Sequence, residues 1–181
     1  MDSRLQEMLD HYEIRKTLSE YCNGCDRVNE DRMGSVYVED SFDDHGGHKL
    51  PGPEFARVMA AQVASNSEVM FHLLGQSLIN VKGDEAGCET YFFAVSRAPR
   101  EGDLPLCNQL GGRFVDSLVR VGDGWKLKNR TVVRDWTMTL PVASDWPDAM
   151  ALTPGQRSAE DPSFAVLGIS HSGVPSRLAE S

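Results

Sequence analysis

The sequence predicts an α+β domain in which helices come first and a meander of antiparallel strands follows. Three observations predict it. Apolar residues recur at helical spacing near the start, long alternating runs fill the middle, and Gly- or Pro-bearing turns separate those runs.

From Asp2 to about Cys25, the residues Leu5, Met8, Leu9, Tyr12, Leu18, Tyr21, Cys22 and Cys25 fall three and four apart, the period of an amphipathic helix. Tyr21 and Cys25 therefore share its buried stripe, and Asp26 closes the segment. Asn29 to Val38 reads as a second helix, begun by an Asn cap with acids in its first turn. Glu39 to His48 reads as a loop with a short strand. Pro51-Gly-Pro53 breaks the chain before a third helix, Glu54 to Ala64, with Phe55, Val58, Met59 and Val63 on one side. Strands follow over 69–81, 86–97, 106–121 and 125–138, separated by Lys82-Gly-Asp-Glu85, a loop over 99–105 and Gly122-Asp-Gly124. Consecutive strands of this kind make a meander, with the helices packed on one face of a curved sheet. After Leu140 the composition turns to Pro, Ser, Asp and Gly with scattered apolar residues, among them Trp146, Met150, Phe164, Val166, Leu167 and Ile169. Residues 1–140 read as the domain. Residues 141–181 read as a tail packed over it or over a neighbouring subunit, a candidate lid.

At 181 residues the chain suits one well-buried core. Its net charge of −9, from 18 basic and 27 acidic side chains, offers no basic stripe for phosphates, which argues against nucleic acid or an anionic membrane as partner. A small hydrophobic molecule is the expected ligand. The acidic start lacks the basic flank of a signal peptide and no run is apolar enough to span a bilayer, so the expected location is the cytoplasm. Cys22 and Cys25 form a C-x-x-C pair, but near a helix C-terminus rather than the N-terminus that lowers a thiol pKa, so they read as core.

Strand alternation assigns faces. His72 shares one with Leu74 and Gln76, opposite Phe71, Leu73 and Gly75, and both sides are apolar enough to be covered. In the last strand Arg130, Val132, Arg134, Trp136 and Met138 share a parity that suits a pocket wall. Tyr91, Phe93 and Val95 alternate with Thr90, Phe92 and Ala94, so one aromatic side lines the pocket and the other packs the helices. A carboxylate that orients an imidazole is a minimal general base, and Asp26 with His72 is the pair to test. Taken singly, His72 could be a core histidine, Asp26 a helix-end cap, Tyr21 a packed ring and Arg134 a salt-bridge partner. His11, His45, His48 and His171 read as solvated. His45 and His48, with Asp43 and Asp44, lack convergent ligands elsewhere, so no metal site is expected.

The first helix ending in Tyr21-x-x-x-x-Asp26, the His72 strand, Gly112-x-x-x-Asp116, and the Asp123-Gly-Trp hairpin leading to Arg130-x-x-x-Arg134-Asp135-Trp136 occur in an order that resembles the SnoaL-like group of the nuclear transport factor 2-like superfamily. The resemblance covers about residues 5 to 140. It implies a cone with an apolar pocket at its open end, an Asp-His pair that abstracts a proton without metal or organic cofactor, and assembly as trimers or dimers. Asp26 and His72 match that pair, and the bile-acid dehydratase pattern within the group also has a tyrosine at Tyr21 and an arginine at Arg134. Ala94 and Val95 depart from it, standing where some members carry a further polar pocket residue.

The expected function is a cofactor-independent, dehydratase-like lyase acting on a hydrophobic cyclic or aromatic molecule. Asp26 fixes the tautomer of His72, which takes the proton; Tyr21 bonds the leaving oxygen; Arg134 stabilises negative charge; Trp136, Phe93 and Met138 hold the rings. Alternatives are a retro-aldol carbon–carbon lyase releasing a small aldehyde such as formaldehyde from a lignin-derived biaryl, an isomerase or polyketide cyclase, and a non-catalytic binding or assembly module.

Overall fold

The computed structural model describes residues 2–98, 104–142 and 152–172. The first helix, α1 (Ser3–Asp26), starts where the Asp2 carboxylate accepts a hydrogen bond from the Arg4 N–H at 2.8 Å. Its buried stripe begins only at Asp10, which binds Arg120 and the Trp125 indole, and continues through Ile14, Leu18, Tyr21, Cys22 and Cys25. Leu5, Met8, Leu9 and Tyr12 keep the helical spacing yet stay exposed.

The second helix is shorter than its local signals predict. Asn29 caps α2 (Glu30–Gly34) as expected, but the chain then enters β1 (Tyr37–Asp44), where Val36-Tyr37-Val38 suits a strand. What draws it there is a distant partner. β1 lies parallel to β6 (Gly124–Pro141), with the Leu127 N–H donating to the Val36 carbonyl at 2.8 Å. The short β2 (Lys49–Pro51) pairs with the other side of β1 and leads into α3 (Gly52–Asn66).

The long strands β3 (Val69–Lys82), β4 (Glu85–Ala98) and β5 (Leu106–Val121) join β6 in the expected meander. The six-stranded curved sheet runs β2-β1-β6-β5-β4-β3, antiparallel except for β1 with β6. α1 and α3 cover one face, and the core between helices and sheet holds Ile14, Leu18, Phe55, Phe92, Phe114 and Leu127.

Of the sheet's register shifts, two bear on the site. Between Leu74 and Ser77 a register shift turns Gln76 outward, so the inner row of β3 is Met70, His72, Leu74, Ser77 and Ile79. The second falls between Gly111 and Gly112, which pair with Trp136 and Arg134 and leave Asp135 as the extra residue. A Cβ on Gly112 would lie 2.1 Å from the Val133 carbonyl oxygen, so only glycine lets the strands approach this closely. Gly112→Ala should destabilise the fold by about 1–3 kcal/mol in urea unfolding, since backbone must move to make room; wild-type stability would mean the irregularity relaxes freely.

Among the described residues nothing covers Phe71 and Leu73 on the outer face of the meander. Phe71 and Leu73, expected to be packed on both sides, are 47% and 57% exposed.

The tail lies partly outside the described residues, Trp146 and Met150 included. Its described part carries α4 (Pro162–Leu167), which buries Phe164, leaves Val166 and Leu167 exposed, and docks beside the end of α1. The Asn29 side-chain amide donates to the Ser170 carbonyl at 2.8 Å, and the His171 ring donates to the Arg27 carbonyl at 2.9 Å. Asp161, nearly buried, accepts from the Ser163 hydroxyl and from backbone N–H groups of Gln156 and Ser163, which lower its pKa from 3.8 to about 2. A depressed carboxyl stabilises the fold above its ordinary pKa and loses that contribution as pH falls through the folded value. The stability gap between wild type and Asp161→Asn should therefore be full near neutrality and close between about pH 4 and pH 2. A gap constant across that window would show that Asp161 does not anchor the tail through its charge.

Candidate active site

Asp26 is the last residue of α1, and His72 sits on the inner row of β3 opposite Ala94. The carboxylate holds the histidine at two points: Oδ1 lies 2.6 Å from the ring Nδ1, and Oδ2 accepts the backbone N–H of His72 at 3.0 Å. Since an ionised carboxylate only accepts, Nδ1 carries the ring proton and Nε2 keeps a free lone pair. The two side chains are 11% and 13% exposed, enough for a substrate to reach and little enough to keep bulk water away.

His72 opens onto a cavity of about 450 Å³, with Asp26 behind it. Met59, Met70, Phe92, Leu110, Phe114 and Val132 make its apolar wall, and Ser96, Asn108, Gln109, Thr137 and Thr139 supply polar atoms. Such a mostly apolar lining with a few placed polar groups suits a small organic ligand.

Tyr21, from the buried stripe of α1, also lines the cavity. Its ring meets Tyr37 and Phe114 edge-on at centroid distances of 6.3 and 5.8 Å. Burial, with the nearby Asp43 carboxylate, pushes its phenol well above the usual range, so it stays a neutral O–H. The Arg130 guanidinium lies over the Tyr21 and Phe114 rings at 4.2 and 4.0 Å and forms a bidentate pair with Asp116 at 2.7 and 2.8 Å. Burial opposes the Arg130 charge and pushes the Asp116 carboxyl up, but pairing with Asp116 outweighs it and raises the guanidinium well above its usual range.

A second acid–imidazole pair faces the same cavity. Asp43, fully buried on β1, accepts the Tyr37 hydroxyl at 2.5 Å through Oδ2, and its Oδ1 contacts His45 Nδ1. The His45 ring stacks on Phe55 at 4.4 Å and lines the cavity, with Nε2 3.3 Å from the Tyr21 hydroxyl. Taken as a loop, this stretch reads as solvated; as a strand, Ser41 and Asp43 share an inward parity that points to the pocket.

The wall expected of the last strand is only partly there. Met138 lines the cavity. Arg134 is exposed beside the β5–β6 irregularity and does not line it. Trp136, opposite Gly111, stacks on Phe93 at 5.8 Å away from the cavity, and Phe92 rather than Phe93 faces inward. The extra residue at Asp135 breaks the parity that grouped Arg130 with Trp136; the arginine packed on the site's rings is Arg130, over Tyr21 and Phe114. None of the described tail residues lines the cavity.

Donor atoms of Cys25, Asp26 and His72 lie within 4.8 Å of one another. The set does not suit a metal: both Asp26 oxygens already engage His72, and burial pushes the Cys25 thiol far up, so no thiolate is available. Burial lifts Cys22 as well, to about 12, so neither thiol of the C-x-x-C pair is an activated thiolate.

Residues 6–131 match the SnoaL-like domain family. An uncharacterized protein of Mycobacterium tuberculosis is 28% identical over 127 residues, spanning 68% of this chain and 84% of that protein. Among solved structures, a putative scytalone dehydratase from Novosphingobium aromaticivorans superposes with a TM-score of 0.67 at 18% identity, over 76% of this chain and 92% of that one. The hexachlorocyclohexane dehydrochlorinase LinA-type3 from Novosphingobium barchaimii gives 0.68 at 15% identity, over 84% and 99%. At these identities the structural likeness establishes the fold. No helix among the described residues is long and apolar enough to cross a membrane.

Proposed function

The chain belongs to the SnoaL-like domain family, and on that footing we propose that it is a cofactor-independent, dehydratase-like lyase acting on a hydrophobic cyclic or aromatic molecule. The observation that carries this reading is the two-point grip of Asp26 on His72 at the wall of an apolar cavity. His72 Nε2 takes a proton from a carbon made acidic by a neighbouring carbonyl. Asp26 holds Nδ1–H throughout, so the positive charge that forms on the ring faces a carboxylate already in place, with no reorganisation at the moment of reaction.

The Tyr21 hydroxyl is the donor to the departing oxygen. Phe92, Phe114 and Met138 hold the ring system against the base, and the water-poor lining strengthens each of these polar contacts. A proton lost from carbon and an oxygen lost from its neighbour leave a new double bond, conjugated with the carbonyl. The shared fold of a putative scytalone dehydratase and of a hexachlorocyclohexane dehydrochlorinase is in keeping with a pocket that runs eliminations.

The test is a screen of hydroxylated steroids, polyketides and lignin-derived aromatics in the presence of a chelator, following ultraviolet absorbance for new conjugation. At least one class should turn over, at a rate unchanged by exhaustive chelation. Ligands that raise the melting temperature with no spectral change in any class would make the protein a binder. Activity that vanishes with the chelator and returns with one ion would make it a metalloenzyme.

A further inference from the structure

An elimination that expels hydroxide needs an acid as well as a base, and the base cannot be both at once. Tyr21 faces the cavity, but a buried phenol cannot give up its proton and remain a phenolate beside the buried Asp43 carboxylate. It can hand a proton forward only if another reaches its oxygen in the same step. Among the described residues its hydroxyl has one hydrogen-bond partner, His45 Nε2 at 3.3 Å.

His45 is built for that delivery. Its Nδ1 is held by Asp43, whose other oxygen is occupied by the Tyr37 hydroxyl at 2.5 Å, so the carboxylate is fixed from both sides. Phe55 stacks under the ring and keeps Nε2 aimed at Tyr21. The construction repeats that of Asp26 and His72: a carboxylate on Nδ1 and a cavity-facing Nε2. The difference is that Nε2 of His72 is open to the ligand, whereas Nε2 of His45 is already joined to a hydroxyl.

We propose that the cavity holds two imidazoles of opposite duty, His72 as the base and His45 as the proton source that recharges Tyr21 while Tyr21 protonates the leaving oxygen. The inference rests on the reading of Asp26 and His72 as the base, and it narrows the substrate to a β-hydroxy carbonyl compound carrying an aromatic or cyclic group. In the step, the carbon–hydrogen electron pair becomes the new carbon–carbon bond and its proton goes to His72 Nε2. The carbon–oxygen pair leaves with the oxygen, which takes the Tyr21 proton and departs as water. The Tyr21 oxygen takes the Nε2 proton of His45, which enters the step protonated on both ring nitrogens between Asp43 and Tyr21, whereas His72, with Nε2 open to the ligand, enters it neutral. The site ends with His72 charged and His45 neutral, and proton exchange with water through the cavity mouth restores it. His45 acts through Tyr21 and is a relay residue; Tyr21 is the group that touches the substrate.

Leaving-group dependence tests this, because a merely structural role cannot distinguish departing groups. A panel of aryl β-hydroxy ketones and their β-acetoxy counterparts would be assayed with wild type, His45→Gln, Tyr21→Phe and His72→Gln, folding being checked by near-ultraviolet circular dichroism. Wild type should dehydrate at least one hydroxy ketone. His45→Gln should slow that reaction by about 10²-fold or more yet leave acetate loss within a few-fold, since acetate departs without a proton. Tyr21→Phe, which keeps the buried ring, should show the same split even if His45→Gln folds poorly. His72→Gln should lose both reactions, and its retaining both would bring down the base reading itself. Equal losses for both leaving groups in Tyr21→Phe, no loss in either relay variant, or a wild type that acts on other classes but on none of the hydroxy ketones would overturn the relay.

Discussion

Replacing His72 with alanine is expected to lower turnover by about 10²–10⁴-fold, the usual contribution of a positioned general base, with the melting temperature close to wild type. The asymmetry follows from where the pair sits. His72 is on β3, the strand at one end of the sheet order, facing a cavity rather than a packed interior, and its backbone N–H still satisfies one Asp26 oxygen when the ring is gone. Little packing is lost, whereas Nε2 is the cavity-facing ring nitrogen with no hydrogen-bond partner among the described residues. Asp26→Asn should cost a comparable factor, because an amide nitrogen turned toward Nδ1 would favour the other ring tautomer and place the proton on Nε2, where the base is needed. Both variants would be read by steady-state turnover beside thermal unfolding. A large fall in melting temperature that tracks the loss of activity would make the pair a structural hydrogen bond; undiminished turnover would place the base elsewhere.

The second large effect concerns stability. Asp116→Ala should destabilise the fold by about 3–5 kcal/mol in urea unfolding, because it strands the Arg130 guanidinium, fully buried between Tyr21 and Phe114, without its counter-charge. The pair itself is worth far less than either half alone, since taking both ions out of water cancels most of their attraction. Arg130→Met combined with Asp116→Leu should therefore recover much of the loss of the single substitution. The recovered double variant would have lost the positive charge over the Tyr21 ring, so its turnover should stay low even where its stability returns. A single variant as stable as wild type would mean that water or a rearranged side chain reaches Arg130.

The two expectations differ in how much of each was legible from residue order. Tyr21 and His72, which line the cavity, and Asp26, which holds His72, stand in segments with clear periods: the helical spacing that ends at Asp26 and the apolar strand around His72. Arg130 and Asp116 were legible only as members of a motif, and the expected arginine was Arg134. Counting by twos along β6 puts Arg130, Arg134 and Trp136 on one face; the extra residue at Asp135 moves Trp136 onto Phe93. His45 was missed for a related reason. Its segment pairs with β6, more than eighty positions along the chain, and nothing within Glu39–His48 signals that partner.

The sequence by itself determined the class of the fold and the order of its helices and meander, because helical and strand periods are local properties that survive without coordinates; the pairing of Asp26 with His72 was an expectation that the family resemblance implied. Tertiary structure alone decided which residues face the cavity. Close backbone approach at Gly112, the parallel entry of β1 and the burial of Asp43 depend on atoms far apart in the chain. A single inserted residue reverses the face of Trp136, and His45 reaches the cavity only because β1 pairs with a strand far along the chain, so both became visible only once the strands were paired.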